Sequence, residues 1–513
     1  MIVSGETVTG DLTLDTDAVV VGSGAGGAVV AALLAEAGIG VIAFEEGGHF
    51  EARHFTQREH EMYPLLYRLG GNQTTDDQLI TVMQGRCVGG STVINMADCT
   101  PIPVALFDHW RRRTGSRIQA AHLDDSYRRV RASLGVTRLA GATINENNAI
   151  LSRYLARTGA RGGVFDSNRL GCIGAGFCMV GCSYNAKKAA HLTYIPRAST
   201  AGATIYADCR AERVIAGRRG VEGVEAWVID RATRARRHRI SVSARAVVIA
   251  AGAIHSPLLL LRSGLGNDNG LVGKNLSLQP QAPITALYDR TIDVFAGIPQ
   301  TVYCDEWETA SEEIGISGFR LETIGAGPAM AATVLGGFGL AHKAFMSQFR
   351  RVAAMVALVP DRPSGEVAPG DDGEAVIRYC PTEEYLGRLR AGMKAAARVF
   401  LEDGAGGIVV PCEDTPPLRS VRDLDAIDKL VPEPGRMRLL SAHPQGTCRL
   451  GASPATSVVN EDLESHFVRN LFVIDASIFP STSSTHTMIP TMVMADRAAH
   501  RLLARRAELF GKR

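Results

Sequence analysis

Residues 18–28 read AVVVGSGAGGA, a run of apolar residues that passes directly into a glycine-rich turn. The apolar run Ala18–Val21 predicts a fully buried parallel strand. After the turn, Ala28–Ala37 is rich in Ala and Leu, which favour a helix, and Val41–Phe44 is a second apolar segment of strand length. Strand, turn, helix and strand in this order predict a compact βαβ unit.

The glycine turn has the form G-x-G-x-x-G, with Gly22, Gly24 and Gly27 at the fixed positions. These glycines would allow a tight turn, close approach to a pyrophosphate and close packing of helix on strand. Phosphate oxygens would then meet the helix N-terminus. Glu45 ends the second strand, where its carboxylate can bind ribose hydroxyls and would repel the 2′-phosphate of NADP. The turn predicts a dinucleotide site without deciding between FAD and NAD, and a purely structural turn is the alternative.

Bulk composition describes an ordinary soluble protein. The chain has 513 residues, 46% hydrophobic and 21% charged, enough for two or three structural units. Its 55 basic and 53 acidic residues nearly balance, so no nucleic acid partner is expected. The polar N-terminus shows no export signal, which predicts a cytoplasmic protein. Thr323–Ala341 lacks charge but is rich in Gly and Ala, so a buried or lid segment is expected rather than an integral membrane span.

Further strand candidates lie far along the chain, at Ala246–Ala251 and Leu471–Ile474. A helix-like SPLLLLRSG follows the first of them, and a last helix is predicted from about Thr491. The simplest organisation is an α/β nucleotide-binding domain built from discontinuous segments, with a substrate domain formed by the insertions. The predicted boundaries are 1–105, 186–285 and 436–513 for the nucleotide domain, and 106–185 and 286–435 for the substrate domain.

Four more stretches decide between the cofactors. Residues 85–95 read GRCVGGSTVIN, residues 250–257 read AAGAIHSP, residues 272–276 read VGKNL, and residues 441–451 read SAHPQGTCRLG. In this order they resemble the signatures of the glucose–methanol–choline (GMC) family of FAD-dependent oxidoreductases, and within it the long-chain alcohol oxidases and dehydrogenases. The resemblance implies an α/β (α+β overall) fold, in which a Rossmann-like FAD domain carries a substrate domain containing an antiparallel sheet.

The resemblance also implies FAD contacts at matching positions. The ADP half would be held by Gly22, Gly24, Gly27 and Glu45, and its adenine side would contact the backbone of Val214. The isoalloxazine would be lined by Gly90, Ser91 and Asn95. The pyrophosphate and ribityl chain would be approached by Asp475 and Ala476. We expect their neighbours to complete the site: Ser23, Ala25, Gly26, Glu46, Arg86, Gly89, Met96, Ala251, Gly252, Thr487 and Met488.

Two histidines are the predicted catalytic residues. Oxidising an alcohol on a flavin needs a base for the hydroxyl proton and a carbinol hydrogen directed at flavin N5. Histidine suits the role of the base because it titrates near working pH. His443, in HPQGTC, matches the family's base. His486 is the best match to its second catalytic position, although the usual Asn-Pro or His-Pro is replaced by His486-Thr487, with the proline displaced to 490. His255, His342 and His466 are interpreted as structural.

The cysteine segment Cys172–Cys182 has the spacing C-x5-C-x3-C, close to a bacterial ferredoxin run. Cys172, Cys178 and Cys182 could ligate an iron–sulfur cluster that relays electrons, but packing thiols in a structural loop are favoured and no metal is expected.

The predicted function is oxidation of a small alcohol, apolar in character, with oxygen or an external carrier as electron acceptor. The alternatives are a redox-neutral lyase or photodecarboxylase on the same scaffold, and a flavin-binding electron carrier. Substrate identity, covalent FAD attachment and oligomeric state are left open by the sequence.

Overall fold

The structure, a computed structural model, describes residues 1–139, 144–335, 338–413 and 415–511. The βαβ unit predicted at the N-terminus is present. Strands Leu12–Val21 and Val41–Phe44 pair in parallel, with Ala18 opposite Val41 and Val21 opposite Phe44. The helix between them spans Ala25–Glu36 and so begins inside the glycine turn, earlier than predicted.

The βαβ unit belongs to an eight-stranded sheet, the nucleotide sheet. Its strands pair in this order: Ile2–Ser4, Thr204–Ala207, Val41–Phe44, Leu12–Val21, Arg236–Ile249, Gly220–Ile229 and Cys209–Gly217, with Leu471–Val473 also pairing with Arg236–Ile249. The pairs are parallel except where Gly220–Ile229 meets its two neighbours. Apolar strands that come from three distant parts of the sequence therefore meet in one sheet, as a Rossmann-type fold requires.

Burial explains why these strands and the first helix are so apolar. Val19, Val20, Val247 and Val248 have no solvent exposure, because helices cover the sheet. Helix Ala25–Glu36 is apolar around most of its circumference, and it packs against Met488–Ala504 and Tyr194–Thr200 as well as the sheet. The core of the nucleotide sheet is thus closed by the last long helix of the chain.

A second, six-stranded sheet is antiparallel throughout; we call it the substrate sheet. Its strands pair in the order Gly407–Val409, Pro283–Leu287, Val352–Leu358, Arg320–Thr323, Val302–Cys304 and Gly162–Val164. Helix Glu383–Glu402 covers it, burying Leu389, Met393 and Phe400 in a core separate from that of the nucleotide sheet.

The strands of the nucleotide sheet all fall within the segments predicted for the nucleotide domain. Strand Pro283–Leu287 of the substrate sheet crosses the predicted boundary at 285. Helices Ala105–Thr114 and Asp124–Leu134, predicted to be part of the substrate domain, bury Trp110 and Leu134 in the core of the nucleotide sheet. The division of the chain into segments stays a prediction.

The remaining elements are short or connect the two sheets. The other helices are Glu59–Leu66, Glu146–Thr158, Gly252–Ser263, Pro328–Val334, Gly339–Met346 and Arg506–Phe510, with short 3₁₀ turns between elements. A three-stranded sheet is formed by Lys274–Leu276, Gly365–Pro369 and Ala375–Arg378. Two-stranded sheets are formed by Ile80–Val82 with Leu439–Ser441, by Thr309–Ser311 with Gly315–Ser317, and by Thr137–Arg138 with Asp166–Ser167.

The uncharged segment Thr323–Ala341 is not one element. Thr323 ends a strand of the substrate sheet, helix Pro328–Val334 follows, and Gly339 begins the next helix, while Gly336 and Gly337 lie outside the described residues. Among the residues that the structure describes, no helix has both the length and the apolar character needed to cross a bilayer.

Candidate active site

One cavity of about 400 Å³ is lined by residues of both sheets. It brings together both predicted catalytic histidines, His443 and His486. It also brings together most of the predicted cofactor residues: Gly22, Ser23, Gly24, Ala25, Gly26, Glu45, Glu46, Arg86, Gly90, Ser91, Asn95, Met96, Ala251, Gly252, Asp475, Ala476, Thr487 and Met488.

Three predicted cofactor residues do not line this cavity. Gly27 packs against the turn itself, where a Cβ would lie 1.9 Å from the Gly22 carbonyl oxygen. The Gly89 N–H donates to the Ser23 hydroxyl at 3.0 Å. Val214 is buried, its N–H donates to the Ser263 hydroxyl at 2.9 Å, and Cys209–Ala211 of the same strand line the cavity in its place.

The glycine turn forms one wall of the cavity. Gly24 is the N-cap of helix Ala25–Glu36 and has no side chain to cap it, so the N–H groups of the first turn are left for a ligand. A Cβ on Gly26 would lie 1.8 Å from the Ile474 carbonyl oxygen, and one on Gly90 would lie 2.8 Å from the Gly24 Cα. The two glycine clusters therefore touch, and they present backbone rather than side chains to the cavity.

Glu45 holds the turn in shape. Its carboxylate accepts the Ser23 N–H at 3.1 Å, the Ser23 hydroxyl at 2.6 Å and the Gly47 N–H at 2.9 Å. Burial raises the pKa of Glu45, although these hydrogen bonds oppose the shift. Since Ser23 also accepts the Gly89 N–H, this one carboxylate links the first glycine cluster to the second.

Charged side chains surround Glu46 beside this wall. Arg68 and Arg234 each reach its carboxylate at 2.5 Å. Burial alone would raise the pKa of Glu46, but the charge and hydrogen bond of Arg68, together with the charges of His255 and Arg210, outweigh burial and lower it. Burial lowers the pKa of Arg86, which lines the same region, to about 10. Arg68, Arg210 and Arg262 also line the cavity and were not among the predicted cofactor residues. His255, interpreted from the sequence as structural, lines it as well.

Asp475 ties two predicted motifs together. Its carboxylate accepts the Gly252 N–H at 2.9 Å and the Ser477 N–H at 2.8 Å, and also the Ser256 hydroxyl. Burial raises its pKa. The carboxylate thereby fixes the start of helix Gly252–Ser263 against the loop that follows the last strand, and both segments reach the cavity.

The two histidines lie side by side. Their ring centroids are 5.3 Å apart, with the ring planes at 64°. Nε2 of His486 bonds the carboxylate of Glu322 at 3.0 Å, and Phe165 packs edge-on against the same ring at 5.5 Å. Within the described chain, Nδ1 of His443 and Nδ1 of His486 are both buried without a hydrogen-bond partner. Both imidazole rings line the cavity, at the point where their loops meet.

Their electrostatic environments differ. Burial, and to a smaller extent the neighbouring His486, lower the pKa of His443 to about 3, although Glu322 opposes the shift. Burial would also lower the pKa of His486, but the charge and the hydrogen bond of Glu322 outweigh burial and raise it. His443 is therefore a neutral imidazole at neutral pH, whereas His486 favours the protonated form.

Strand pairing explains why these distant segments meet. Ile80–Val82 and Leu439–Ser441 pair in parallel, so the segments that follow them leave the same edge and carry Asn95 and His443 to the cavity. Gln445 then joins the two histidine loops, since its side-chain oxygen accepts the Ser483 N–H at 2.7 Å and its amide donates to the His443 carbonyl at 3.1 Å.

Part of the cavity wall is apolar. It includes Ile324, Met330, Val334, Leu335, Phe349 and Val352, of which Met330 and Val334 belong to helix Pro328–Val334. We call these six residues the apolar chamber. Glu322, the partner of His486, precedes Ile324 by two positions, so the histidine pair adjoins the chamber.

Comparisons with known proteins identify the family. GMC oxidoreductase models match residues 16–281 and 363–495, more than half of the chain. The chain belongs to the GMC oxidoreductase family. It is 32% identical to an uncharacterized GMC-type oxidoreductase of Mycobacterium tuberculosis, over 95% of this chain and 76% of the relative. It is 27% identical to a long-chain-alcohol oxidase of Arabidopsis thaliana, over 100% of this chain and 70% of the relative.

Solved structures agree on the fold. The GMC chain superposes on pyridoxine 4-oxidase from Mesorbium loti with a TM-score of 0.71, at 18% identity, covering 95% of this chain and 99% of the other. A formate oxidase gives a TM-score of 0.70 at 16% identity, covering 98% of this chain and 100% of the other. The predicted family and the Rossmann-type α/β fold are confirmed, and the protein is an oxidoreductase.

The cysteine segment of this GMC protein supports the wall of the cavity. Lys187 is fully buried and donates to the carbonyls of Val93, Asn95 and Cys178 at 2.7, 2.7 and 2.6 Å. The described residues contain no group of three or more His, Cys, Asp or Glu side chains placed to hold a metal. Lys187 thus links Cys178 of this segment to Val93 and Asn95 of the second glycine cluster.

Sequence reasoning missed three polar residues beside the histidines. Glu322 and Asp98 are buried carboxyl groups that line the cavity, and so does Gln300, whose amide donates to Glu322 at 2.7 Å. Burial raises the pKa of Asp98 to about 7. The sequence offers one signal for Glu322, which is a charged residue in a buried strand. A buried charge needs a partner, and the partner could have been sought among the histidines.

Proposed function

We propose that this protein oxidises a primary alcohol with an apolar chain to the aldehyde, with FAD as its cofactor and His443 as the general base. The observation that carries the proposal is the pair His443 and His486, whose rings lie 5.3 Å apart in a cavity that is also lined by the glycine clusters and the apolar chamber. Relatives that include a long-chain-alcohol oxidase support the choice of substrate class.

The residues present fit FAD. The uncapped helix N-terminus behind Gly24 suits the pyrophosphate, and the touching backbones of Gly24 and Gly90 leave room for a flat ring system. Gln84 Oε1 is buried at the cavity wall and has no partner within the described chain, so it can accept an N–H of such a ring. When bound, FAD supplies the acceptor for the carbinol hydride.

His443 is suited to take the hydroxyl proton. A pKa of about 3 keeps its imidazole neutral throughout the working pH range, and its ring lines the cavity. Burial also excludes water that would compete for the proton. His486 can donate from Nδ1 to the substrate oxygen while its Nε2 stays on Glu322 at 3.0 Å. A positioned base of this kind typically contributes about 10²–10⁴ in rate.

The apolar chamber sets the substrate class. Its six residues carry no polar side chain, so a buried hydroxyl or charge on the substrate's tail would lose its hydrogen bonds to water. An alkyl chain gains about 0.8 kcal/mol for each CH₂ that it buries. The preferred substrate is therefore a long-chain primary alcohol, and oxygen is the proposed electron acceptor.

Anaerobic flavin bleaching tests the proposal. The FAD-loaded protein is mixed with primary alcohols of increasing chain length, and absorbance of the oxidised flavin is followed. We expect bleaching whose efficiency rises with chain length, with one aldehyde formed per flavin reduced. Bleaching by none of the alcohols, or product formed without consumption of an electron acceptor, would reject the proposal; the second result would indicate a redox-neutral lyase.

A further inference from the structure

Asp98 is a buried carboxyl group in the wall of the cavity. It is 4% exposed, and it follows Asn95 of the second glycine cluster by three positions. Among the residues that the structure describes, none makes a hydrogen bond or an ion pair with this carboxyl group. Burying a carboxyl group is costly unless it is hydrogen-bonded, so a carboxyl group without a protein partner in this cavity points to a ligand.

The backbone around Asp98 places it beside the second histidine. Asp98 pairs with Ser167 in an isolated antiparallel bridge, and the Ser167 hydroxyl donates to the Ala97 carbonyl at 2.9 Å. Phe165, two positions before Ser167, packs edge-on against the His486 ring at 5.5 Å. The pairing therefore holds Asp98 close enough to His486 for the two charges to act on each other.

Three cationic side chains surround Asp98, but each of them is bound elsewhere. The Arg169 guanidinium donates to a serine hydroxyl at 2.7 Å and to a backbone carbonyl. Lys187 donates to three backbone carbonyls at 2.6–2.7 Å. Nε2 of His486 bonds Glu322 at 3.0 Å. Asp98 is thus left without an ion pair although positive charge lies around it.

This distribution of charge determines which kind of group Asp98 would bind. Arg169, Lys187 and His486 already place three positive charges near the two carboxyl groups of Asp98 and Glu322. An ammonium group would be a further positive charge among them and would be repelled. A neutral hydroxyl group donates its hydrogen to a carboxylate without adding charge. The fitting partner is therefore an O–H group.

We propose that Asp98 is a specificity-determining residue that accepts a hydrogen bond from a second hydroxyl group of the substrate, so that the preferred substrate is a vicinal diol with an alkyl chain. This inference rests on the proposed function. The carbinol that is oxidised would lie at the histidine pair, the adjacent hydroxyl would meet Asp98, and the alkyl chain would enter the apolar chamber. A second hydroxyl farther along the chain would enter the apolar chamber, whose side chains offer it no partner.

The strength of Asp98 as an acceptor depends on pH. Burial raises its pKa to about 7, and the charge of Glu322 adds to the shift. The charges of His486, Arg169 and Lys187 oppose it. Below this pH the carboxyl group is protonated, whereas above it the carboxylate makes a charge-assisted hydrogen bond that is about twice as strong as a neutral one. The preference for a diol should therefore grow as the pH rises from about 6 to about 8.

Flavin reduction by matched alcohols tests the inference. FAD-loaded protein is mixed anaerobically, at about pH 8, with a primary alcohol or with the vicinal diol of the same chain length. In wild type, we expect the second-order rate constant for the diol to be about 10–10²-fold larger, the effect of one hydrogen bond to a charged group.

The variants of Asp98 have separate expected results. Asp98→Ala should abolish the preference for the diol. Asp98→Asn keeps an acceptor oxygen without the charge, so its preference should stay below about tenfold and should not change with pH. Equal rate constants for the two alcohols in wild type, or an unchanged preference in Asp98→Ala, would overturn the inference.

Asp166→Asn is the matched control. Asp166 precedes Ser167 on the same segment, pairs with Arg131 at 2.9 Å and is not among the residues that line the cavity, so this variant should keep the wild-type preference. Because the Asp98 carboxyl group has no protein partner, the thermal midpoint of Asp98→Asn should stay near that of wild type. A midpoint far below it would show that the carboxyl group supports the fold, and would overturn the inference.

The proposed function and this inference can fail separately. If no alcohol reduces the wild-type flavin, the proposed function fails. Binding of both alcohols to dithionite-reduced protein, which cannot accept a hydride, is then measured by calorimetry. Tighter binding of the diol in wild type but not in Asp98→Ala supports the role of Asp98, and equal binding of the two alcohols in wild type overturns it.

Discussion

Substituting Gly24 by alanine should separate cofactor binding from folding. Gly24 lines the cavity, and a Cβ there would find only the Cα of Gly90 within 4 Å, at 3.8 Å, an ordinary contact. Its φ of −75° suits alanine. The apo protein should therefore lose at most about 1 kcal/mol, the cost of a poorer N-cap.

The same methyl group would stand where a pyrophosphate must approach the helix N-terminus. Charge-assisted hydrogen bonds contribute about 1.5–3 kcal/mol each, so losing two of them costs roughly 3–6 kcal/mol. Since each 1.4 kcal/mol is a factor of ten, the dissociation constant for FAD should rise about 10²–10⁴-fold.

Gly26→Ala is the matched control. Its Cβ would lie 1.8 Å from the Ile474 carbonyl oxygen, against an ordinary contact of about 3.5 Å, so helix and strand would have to separate by about 1.7 Å. Overpacking of this kind costs about 1–3 kcal/mol or more, and should lower the thermal midpoint of the apo protein.

The assay combines quenching of FAD fluorescence with thermal unfolding of the apo proteins. The reasoning is refuted if Gly24→Ala binds FAD as tightly as wild type, or if its thermal midpoint falls as far as that of Gly26→Ala.

Three further predictions concern the base, the loop brace and the chamber. Because the pKa of His443 is about 3, its base form persists well below neutral pH, and the flavin reduction rate should not fall between pH 8 and pH 5; an acid limb near pH 6.5 would contradict this. Lys187→Met leaves three carbonyl groups without their hydrogen-bond donor, which costs about 1–3 kcal/mol for each carbonyl that stays buried. The thermal midpoint and the flavin content of the purified protein should therefore both drop. Unchanged values would refute the role of Lys187 in supporting the loop. Val334→Trp fills the apolar chamber, so steady-state kinetics should show a raised KM for long-chain alcohols and an unchanged KM for short ones. An equal effect on both would mean that the alkyl chain of the substrate binds outside the chamber.

Much of the nucleotide sheet could be predicted because its signals are local. The strand Val41–Phe44 matches the prediction, and the turn needs glycine at 22, 26 and 27 because a Cβ at any of these positions would lie within 2.3 Å of a backbone carbonyl oxygen. The helix Met488–Ala504 begins three residues before the predicted Thr491 and buries Pro490 inside its first turn, where a proline is tolerated.

The contacts made by the substrate sheet could not be predicted. Glu322 meets His486 across 164 positions of sequence, and no motif marks either the strand or the pairing. The family resemblance predicts Val214 at the cofactor, but it does not tell which end of the strand lines the cavity; Cys209–Ala211 do so here. Helix Ala105–Thr114 has an apolar face that would fit either core, and only the structure shows which one it covers.

The base assignment is tested most directly by rapid anaerobic mixing of FAD-loaded His443→Ala with a long-chain primary alcohol, beside wild type and His466→Ala. We expect all three proteins to be yellow and the controls to bleach alike, with His443→Ala about 10²–10⁴-fold slower. Reduction of His443→Ala at the wild-type rate would contradict the account.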